Sequence, residues 1–206
     1  MAEMGTLAQL DAVIAGCHER GMRIILDLVV NHTSDQHAWF RRALADPDGP
    51  YGPYYILVPP DPDHPERPPN NWESAFTGSA WRWLPEIERW VLHLFAPGQP
   101  DLNWENPRVR EEVADLCRWW FARGIDGFRM DVINFISKPP DLPDGHALIG
   151  DMLQVTGVEH YFYGPRLHEF LRELRARAFD LPGQEPKLMV GETPGIGVET
   201  GRLLTG

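Results

Sequence analysis

The chain has 206 residues and a formal net charge of −11, with 43% hydrophobic and 24% charged residues, a composition that suits a soluble globular domain with a real core. The acidic balance argues against nucleic acid or an anionic membrane as partner and suits a neutral substrate that needs no electrostatic steering. No stretch approaches the roughly 20 apolar residues of a membrane span, and Met1–Leu10 carries no basic leader, so a cytoplasmic location is expected.

The first predicted element is a helix. Thr6 can cap it, Leu7, Leu10, Ile14 and Cys17 follow at helical spacing, and Gly21 can end it. Arg23–Val30 is a short, β-branched, nearly continuous apolar run, the pattern of a parallel strand buried on both faces. It stops at Asn31-His32. From Ser34 to about Asn103 the periodicity fails. Of the chain's 20 prolines and 8 tryptophans, most of the prolines and five of the tryptophans cluster between Pro47 and Trp104. A loop this long has its own small fold or a function, and it reads as an inserted subdomain in which Trp81–Leu84 and Trp90–Phe95 pair as short strands. Regular structure resumes with Asn106 as cap and Pro107 at the first helical position; Val109, Val113, Leu116 and Trp120 form the inward face and Gly124 ends the helix. Ile125–Ile133 is the next strand. A helix over Pro165–Ala178 turns Leu167, Phe170, Leu171 and Leu174 inward, and Lys187–Glu192 is the last strand. Strands alternating with helices predict a parallel sheet with crossover connections. Cys17 and Cys117 lie beside apolar residues in helices and read as buried free thiols.

Each strand ends in polar chemistry: Asn31-His32, Arg129-Met130-Asp131 and Glu192. In a (β/α) barrel the C-terminal strand ends build the active site, so these residues can converge. Arg129 and Asp131 are two apart, so a strand points both to one face, and a guanidinium beside a carboxylate keeps it ionised, as a nucleophile must be. An ordinary structural ion pair has the same spacing. Glu192 ends an apolar strand, where low-dielectric surroundings would raise its pKa and suit it to a general acid; a helix cap or a solvated loop glutamate is the other reading. Together the two carboxylates fit retaining glycoside hydrolysis, which needs them about 5–5.5 Å apart. His32 alone is compatible with a purely structural role. No His/Cys cluster has zinc-ligand spacing, and there is no Gly-rich phosphate loop and no Gly-x-Ser-x-Gly, so neither metal nor cofactor is expected.

Taken in order, Asp27-Leu28-Val29-Val30-Asn31-His32, Gly127-Phe128-Arg129-Met130-Asp131-Val132-Ile133 and Val190-Gly191-Glu192 with Pro194-Gly195 resemble the first three signature regions of the α-amylase superfamily, glycoside hydrolase family 13. Gln99-Pro100-Asp101-Leu102-Asn103 and Asn134-Phe135-Ile136-Ser137-Lys138 resemble its oligo-1,6-glucosidase subfamily. The resemblance implies an α/β fold made of about strands 3 to 5 of a (β/α)8 barrel: residues 1–33 and 104–206 as partial barrel and 34–103 as an inserted domain forming one wall of the pocket. It implies Asp131 as nucleophile, Glu192 as acid/base, Arg129 as the group that orients Asp131, His32 as a sugar ligand and Asp27 as a supporting residue. Val132, following the nucleophile, implies α-1,6 cleavage through the shape of the leaving-group subsite, although a β-branched residue is also ordinary in a strand. Thr193 departs from the methionine common after the acid, with an effect expected on packing.

The resemblance also implies parts that this sequence does not contain. None of the 8 histidines stands in the family's Asn-His-Asp motif, which supplies a third acid, and the aspartate loop that binds its metal is absent. A full barrel takes about 250 residues, whereas the matching motifs run from just before the third strand to just after the fifth. A three-strand piece leaves open edges and an uncovered apolar face, so the isolated polypeptide is expected to be unstable and inactive, with the missing strands supplied by a longer chain. The expected reaction is hydrolysis of short α-glucosides such as isomaltose. A sucrose isomerase or trehalose synthase type of transglycosylase is the enzymatic alternative; a non-catalytic relative such as a transporter heavy subunit, or a decayed scaffold, is the other.

Overall fold

The structure, a computed structural model, describes residues 5–76, 78–195 and 197–205; the Met1–Met4 part of the leading segment lies outside them. Helix α1 (Leu7–Glu19) starts at Thr6 in a reciprocal capping box with Gln9, which satisfies two otherwise orphaned N–H groups. Strand β1 (Ile25–Val29) follows. The insertion contains helix α2 (Ala38–Ala45), capped by His37, and strands β2 (Leu57–Val58), β3 (Trp81–Leu84) and β4 (Arg89–Leu92). Then come α3 (Pro107–Ala122), β5 (Gly127–Asp131), the short helices α4 (Ala147–Leu153) and α5 (Val158–Tyr161), α6 (Leu167–Leu174) with one π-turn over Arg175–Phe179, β6 (Leu188–Gly191) and α7 (Val198–Thr205).

Two sheets result. One is parallel in the order β1-β5-β6, with Asp27 opposite Arg129, Val29 opposite Asp131 and Met130 opposite Gly191. The other is antiparallel in the order β2-β4-β3, with Trp83 opposite Trp90 and their rings 5.3 Å apart. Helices α3 and α6 cover one face of the parallel sheet, where Leu28, Val30, Phe128 and Met130 join Val113, Cys117, Phe121, Phe170 and Leu174 in one core. Its opposite face is open among the described residues: Ile25, Val29, Leu188 and Val190 are all more than a third exposed. The expectation that β1 is buried on both faces is therefore corrected. Alternate residues of an edge strand face different surroundings, and here one side has helices against it and the other has none.

The buried stripe of α3 is Val109, Val113, Cys117 and Phe121, a clean i, i+4 row. Leu116 is exposed and Trp120 only half-buried, so the inward face lies about one residue round from the expected one. Leu7 of α1 is likewise exposed and Ile14 is its buried residue. Both cysteines are free thiols, but Cys17 is only half-buried. Cys117 is buried, and desolvation pushes its thiol up to about 12, which makes it inert.

Asp126, just before β5, ties this strand to the start of the chain. It accepts from His18 at 2.8 Å, Arg23 at 2.8 Å and the Ile24 N–H at 2.9 Å. Burial alone would raise its pKa; the three hydrogen bonds outweigh that and hold it at about 2. The folded value lies below the ordinary one, so the carboxylate contributes stability above about pH 4 that is lost as pH falls toward 2. The shift corresponds to about 2 kcal/mol. Asp126→Asn is expected to lower the urea midpoint at pH 6 and to flatten its acid-side fall; an unchanged pH profile would show that the cluster does not hold this strand.

Candidate active site

Carboxylates from the middle of β1, the end of β5 and the residue after β6 converge on one guanidinium, whereas the Asn31-His32 pair beyond β1 does not reach it. Arg129 Nη1 lies 2.5 Å from Asp131 Oδ1 and 3.5 Å from Asp27 Oδ2, and Nη2 lies 2.6 Å from Glu192 Oε1. The strand period explains the first contact, because Arg129 and Asp131 share the open face. The parallel register explains the others: Asp27 sits opposite Arg129, and the ladder continues past β6 with the Glu192 N–H donating to the Met130 carbonyl at 2.9 Å. Residues distant in sequence are thereby gathered within the span of one side chain. The low-dielectric surroundings expected for Glu192 are not what it meets. Its side chain is 40% exposed and faces a cation, because the sheet face that carries it is open.

His32 lies just beyond β1 and is buried. Gln99 Nε2 is 2.9 Å from its Nε2, and the Phe95 ring is 5.3 Å from the imidazole. Gln99 Oε1 accepts the Ala96 N–H at 3.0 Å, which leaves the amide NH2 facing the histidine. His32 Nε2 therefore accepts and the ring proton sits on Nδ1, so the 3.4 Å approach of Asn31 Nδ2 to Nδ1 is a contact between donors. Desolvation lowers the His32 pKa, against the opposing pull of Asp101 and Asp131, and the imidazole is neutral at pH 7.

Beneath His32 is a polar network of residues that stand in the quoted motifs but to which no individual role was assigned. Lys138 Nζ donates to Asp101 Oδ2 and to Asn31 Oδ1, each at 2.7 Å. Asn31 Nδ2 donates to Asp101 Oδ2 at 3.1 Å, and the Leu94 N–H to Asp101 Oδ1 at 3.0 Å. All three side chains are buried. They join β1, the end of the insertion and the loop after β5. The sequence signal for it lay in the Gln99–Asn103 and Asn134–Lys138 motifs, which contain Asp101 and Lys138.

Val132 does not continue the strand. Its backbone is left-handed, φ 37° and ψ 42°, its N–H donates to Glu192 Oε2 at 3.2 Å, and its side chain packs with Trp72, Trp81, Leu92, Leu94, Phe135 and Tyr161. A cavity of about 490 Å³ bordered by Tyr55, Trp104 and Lys138, and another of about 420 Å³ that reaches His32, both leave Asp131 and Glu192 outside. The carboxylates stand on the open sheet face. Among the described residues no group of three or more His, Cys, Asp or Glu is placed to hold a metal ion, and no helix is long and apolar enough to cross a membrane.

The family model described as the α-amylase catalytic domain matches residues 1–202. The chain is 46% identical over 205 residues to an oligo-1,6-glucosidase of Parageobacillus thermoglucosidasius, covering 100% of this chain and 35% of that protein. It superposes with a TM-score of 0.88 and 40% identity on a trehalose-6-phosphate hydrolase of Bacillus licheniformis, covering 97% of this chain and 34% of that one. An isomaltulose synthase of Erwinia rhapontici NX5 gives a TM-score of 0.86 at 35% identity, with 97% and 34% covered. The chain thus spans about a third of the length of these relatives. The parallel sheet and its helices are part of a (β/α)8 barrel.

Proposed function

The chain belongs to the α-amylase catalytic-domain family, and from that premise we propose that it carries the reacting carboxylates of a retaining α-glucosidase acting on short gluco-oligosaccharides. The observation that carries this reading is that the parallel register brings the Asp131 and Glu192 carboxylates to one sheet face, both within reach of the Arg129 side chain. Asp131, held in place by Arg129, attacks the anomeric carbon. The glycosidic C–O bond breaks as Glu192 delivers a proton to the leaving oxygen, and a glucosyl ester on Asp131 results. Glu192, now a carboxylate, takes a proton from water; the water oxygen displaces Asp131 and restores both groups. Two displacements retain the anomeric configuration. His32, neutral and fixed by Gln99, borders the sugar, and Asp27 supports Arg129 from the neighbouring strand. Residues 34–103 form the wall of the pocket on the His32 side.

An α-1,6 linkage is the preferred substrate on this reading, with Val132 shaping the leaving-group side. The nearby cations support a neutral sugar over a phosphorylated one, because Arg129 and Lys138 are both engaged by carboxylates. Isomerisation of sucrose uses the same pair and is the second reading, favoured by the likeness to the isomaltulose synthase. The 206-residue chain by itself is expected to show no turnover, since the sheet face that bears Asp131 also exposes Ile25, Val29, Leu188 and Val190.

The test is a graft in which this segment replaces its counterpart in the Parageobacillus oligo-1,6-glucosidase. Isomaltose, sucrose and trehalose 6-phosphate are supplied in turn and products resolved by anomer and linkage. α-Glucose from isomaltose is expected. Isomaltulose from sucrose would favour the second reading, and a folded graft without glucosyl transfer to any acceptor would overturn both.

A further inference from the structure

Among the described residues four non-glycine residues have positive φ: Glu88, Val132, Leu142 and Gln154. Val132 is the β-branched one, the side-chain type that tolerates the left-handed region least. The turn directly follows Asp131, and two hydrogen bonds tie it to Glu192: the Val132 N–H to Oε2 at 3.2 Å and the Ile133 N–H to the Glu192 carbonyl at 3.2 Å. Had β5 run on in extended form, the Val132 side chain would have followed Phe128 and Met130 toward α3 and α6. Instead it is buried with Trp72, Trp81, Leu92 and Leu94 of the insertion. Strain of this kind persists only where surrounding packing imposes it, and that packing is the aromatic cluster.

We propose that Val132 is a positioning residue: its side chain, anchored in the insertion, forces the left-handed turn that aims its N–H at the Glu192 carboxylate. The insertion thereby sets the geometry of the acid/base as well as walling the pocket. This role is separate from any effect of Val132 on the leaving group, and it rests on the reading of Glu192 as acid/base.

The two roles predict opposite orders. If Val132 acts through side-chain volume, activity falls from Val to Ala to Gly. If it acts through the turn, alanine is the worst replacement: it loses the anchor and still resists positive φ. Glycine adopts that backbone freely and asparagine more readily than alanine. In the graft, kcat on p-nitrophenyl α-glucoside is expected to follow Val132, then Val132→Gly and Val132→Asn, then Val132→Ala several-fold lower, with KM little changed. Thermal midpoints supply a readout independent of turnover. Val132→Gly is expected to melt about 1 °C above Val132→Ala, the reverse of their order in ordinary backbone. Alanine above glycine in melting, or activity graded by size, overturns the proposal. A folded graft that keeps the glycine-over-alanine melting order but has no turnover refutes the acid/base reading instead, and leaves the turn a feature of the fold.

Discussion

Asp131→Asn in the graft is expected to lower kcat on isomaltose by roughly 10⁴-fold or more, with little change in KM or thermal midpoint. Asparagine has the shape of aspartate but cannot form the glucosyl ester, and the remaining groups bind sugar without a route to the intermediate. The change also removes one anionic partner of Arg129, whose other contacts, Glu192 at 2.6 Å and Asp27 at 3.5 Å, persist. Glu192→Gln separates the two roles. Loss of a general acid costs about 10²–10⁴-fold where the leaving group needs a proton, as the sugar alkoxide of isomaltose does. A p-nitrophenolate leaves without one, so the first step should be nearly normal with that substrate and the glucosyl-enzyme should accumulate as a burst. Asp131→Asn should abolish reaction with both substrates and show no burst. Equal losses for the two variants on both substrates would contradict the division of labour between these carboxylates.

The strand ends were legible because their signals are local. An apolar run fixes a strand, and a period of two places Arg129 and Asp131 on one face without any knowledge of the rest of the fold. The capping of α1 by Thr6 and of α3 by Asn106 was legible for the same reason. Sequence spacing could not show which face of an edge strand has a neighbour: Ile25 and Val29 look like core residues and are exposed because that side of the sheet is open. The inward stripe of α3 was displaced for a related reason, since Leu116 and Cys117 are both apolar and only packing chooses between them. Helix α2 was missed because prolines and aromatics dominate its neighbourhood. Helices α4 and α5 escaped notice because their shape is imposed from outside: Asn70, Asn71 and Trp72 hydrogen-bond the carbonyls of Leu142, Gly145 and Pro143, and Gly157 lets the chain pass where a Cβ would lie 2.2 Å from the Trp72 ring. The left-handed turn at Val132 is the strongest case of such an override, because its residue type argues for strand and its surroundings impose the reverse.

Lys138→Met is expected to cost about 3–5 kcal/mol of unfolding free energy, the usual penalty for removing one partner of a buried ion pair. The side chain is 4% exposed and that of Asp101 is 0% exposed, so solvent cannot compensate the charge left behind. Desolvation lowers the Lys138 pKa and the Asp101 carboxylate opposes it; that carboxylate is the partner the variant would strand. Methionine matches the stem in length but leaves Asn31 Oδ1 and Asp101 Oδ2 each one donor short. The second variant, Lys138→Met with Asp101→Asn, removes the stranded charge while retaining an acceptor for the Leu94 N–H, and should recover part of the loss. The pair therefore distinguishes charge burial from packing: with packing alone at fault, the double variant would be no better than the single one. Urea unfolding of the graft measures both. Since Asn31 is held by Lys138 on one side and abuts His32 on the other, the single variant should also raise KM for isomaltose before it lowers kcat. A stability loss below about 1 kcal/mol would show that the ion pair does not hold the insertion against the barrel strands.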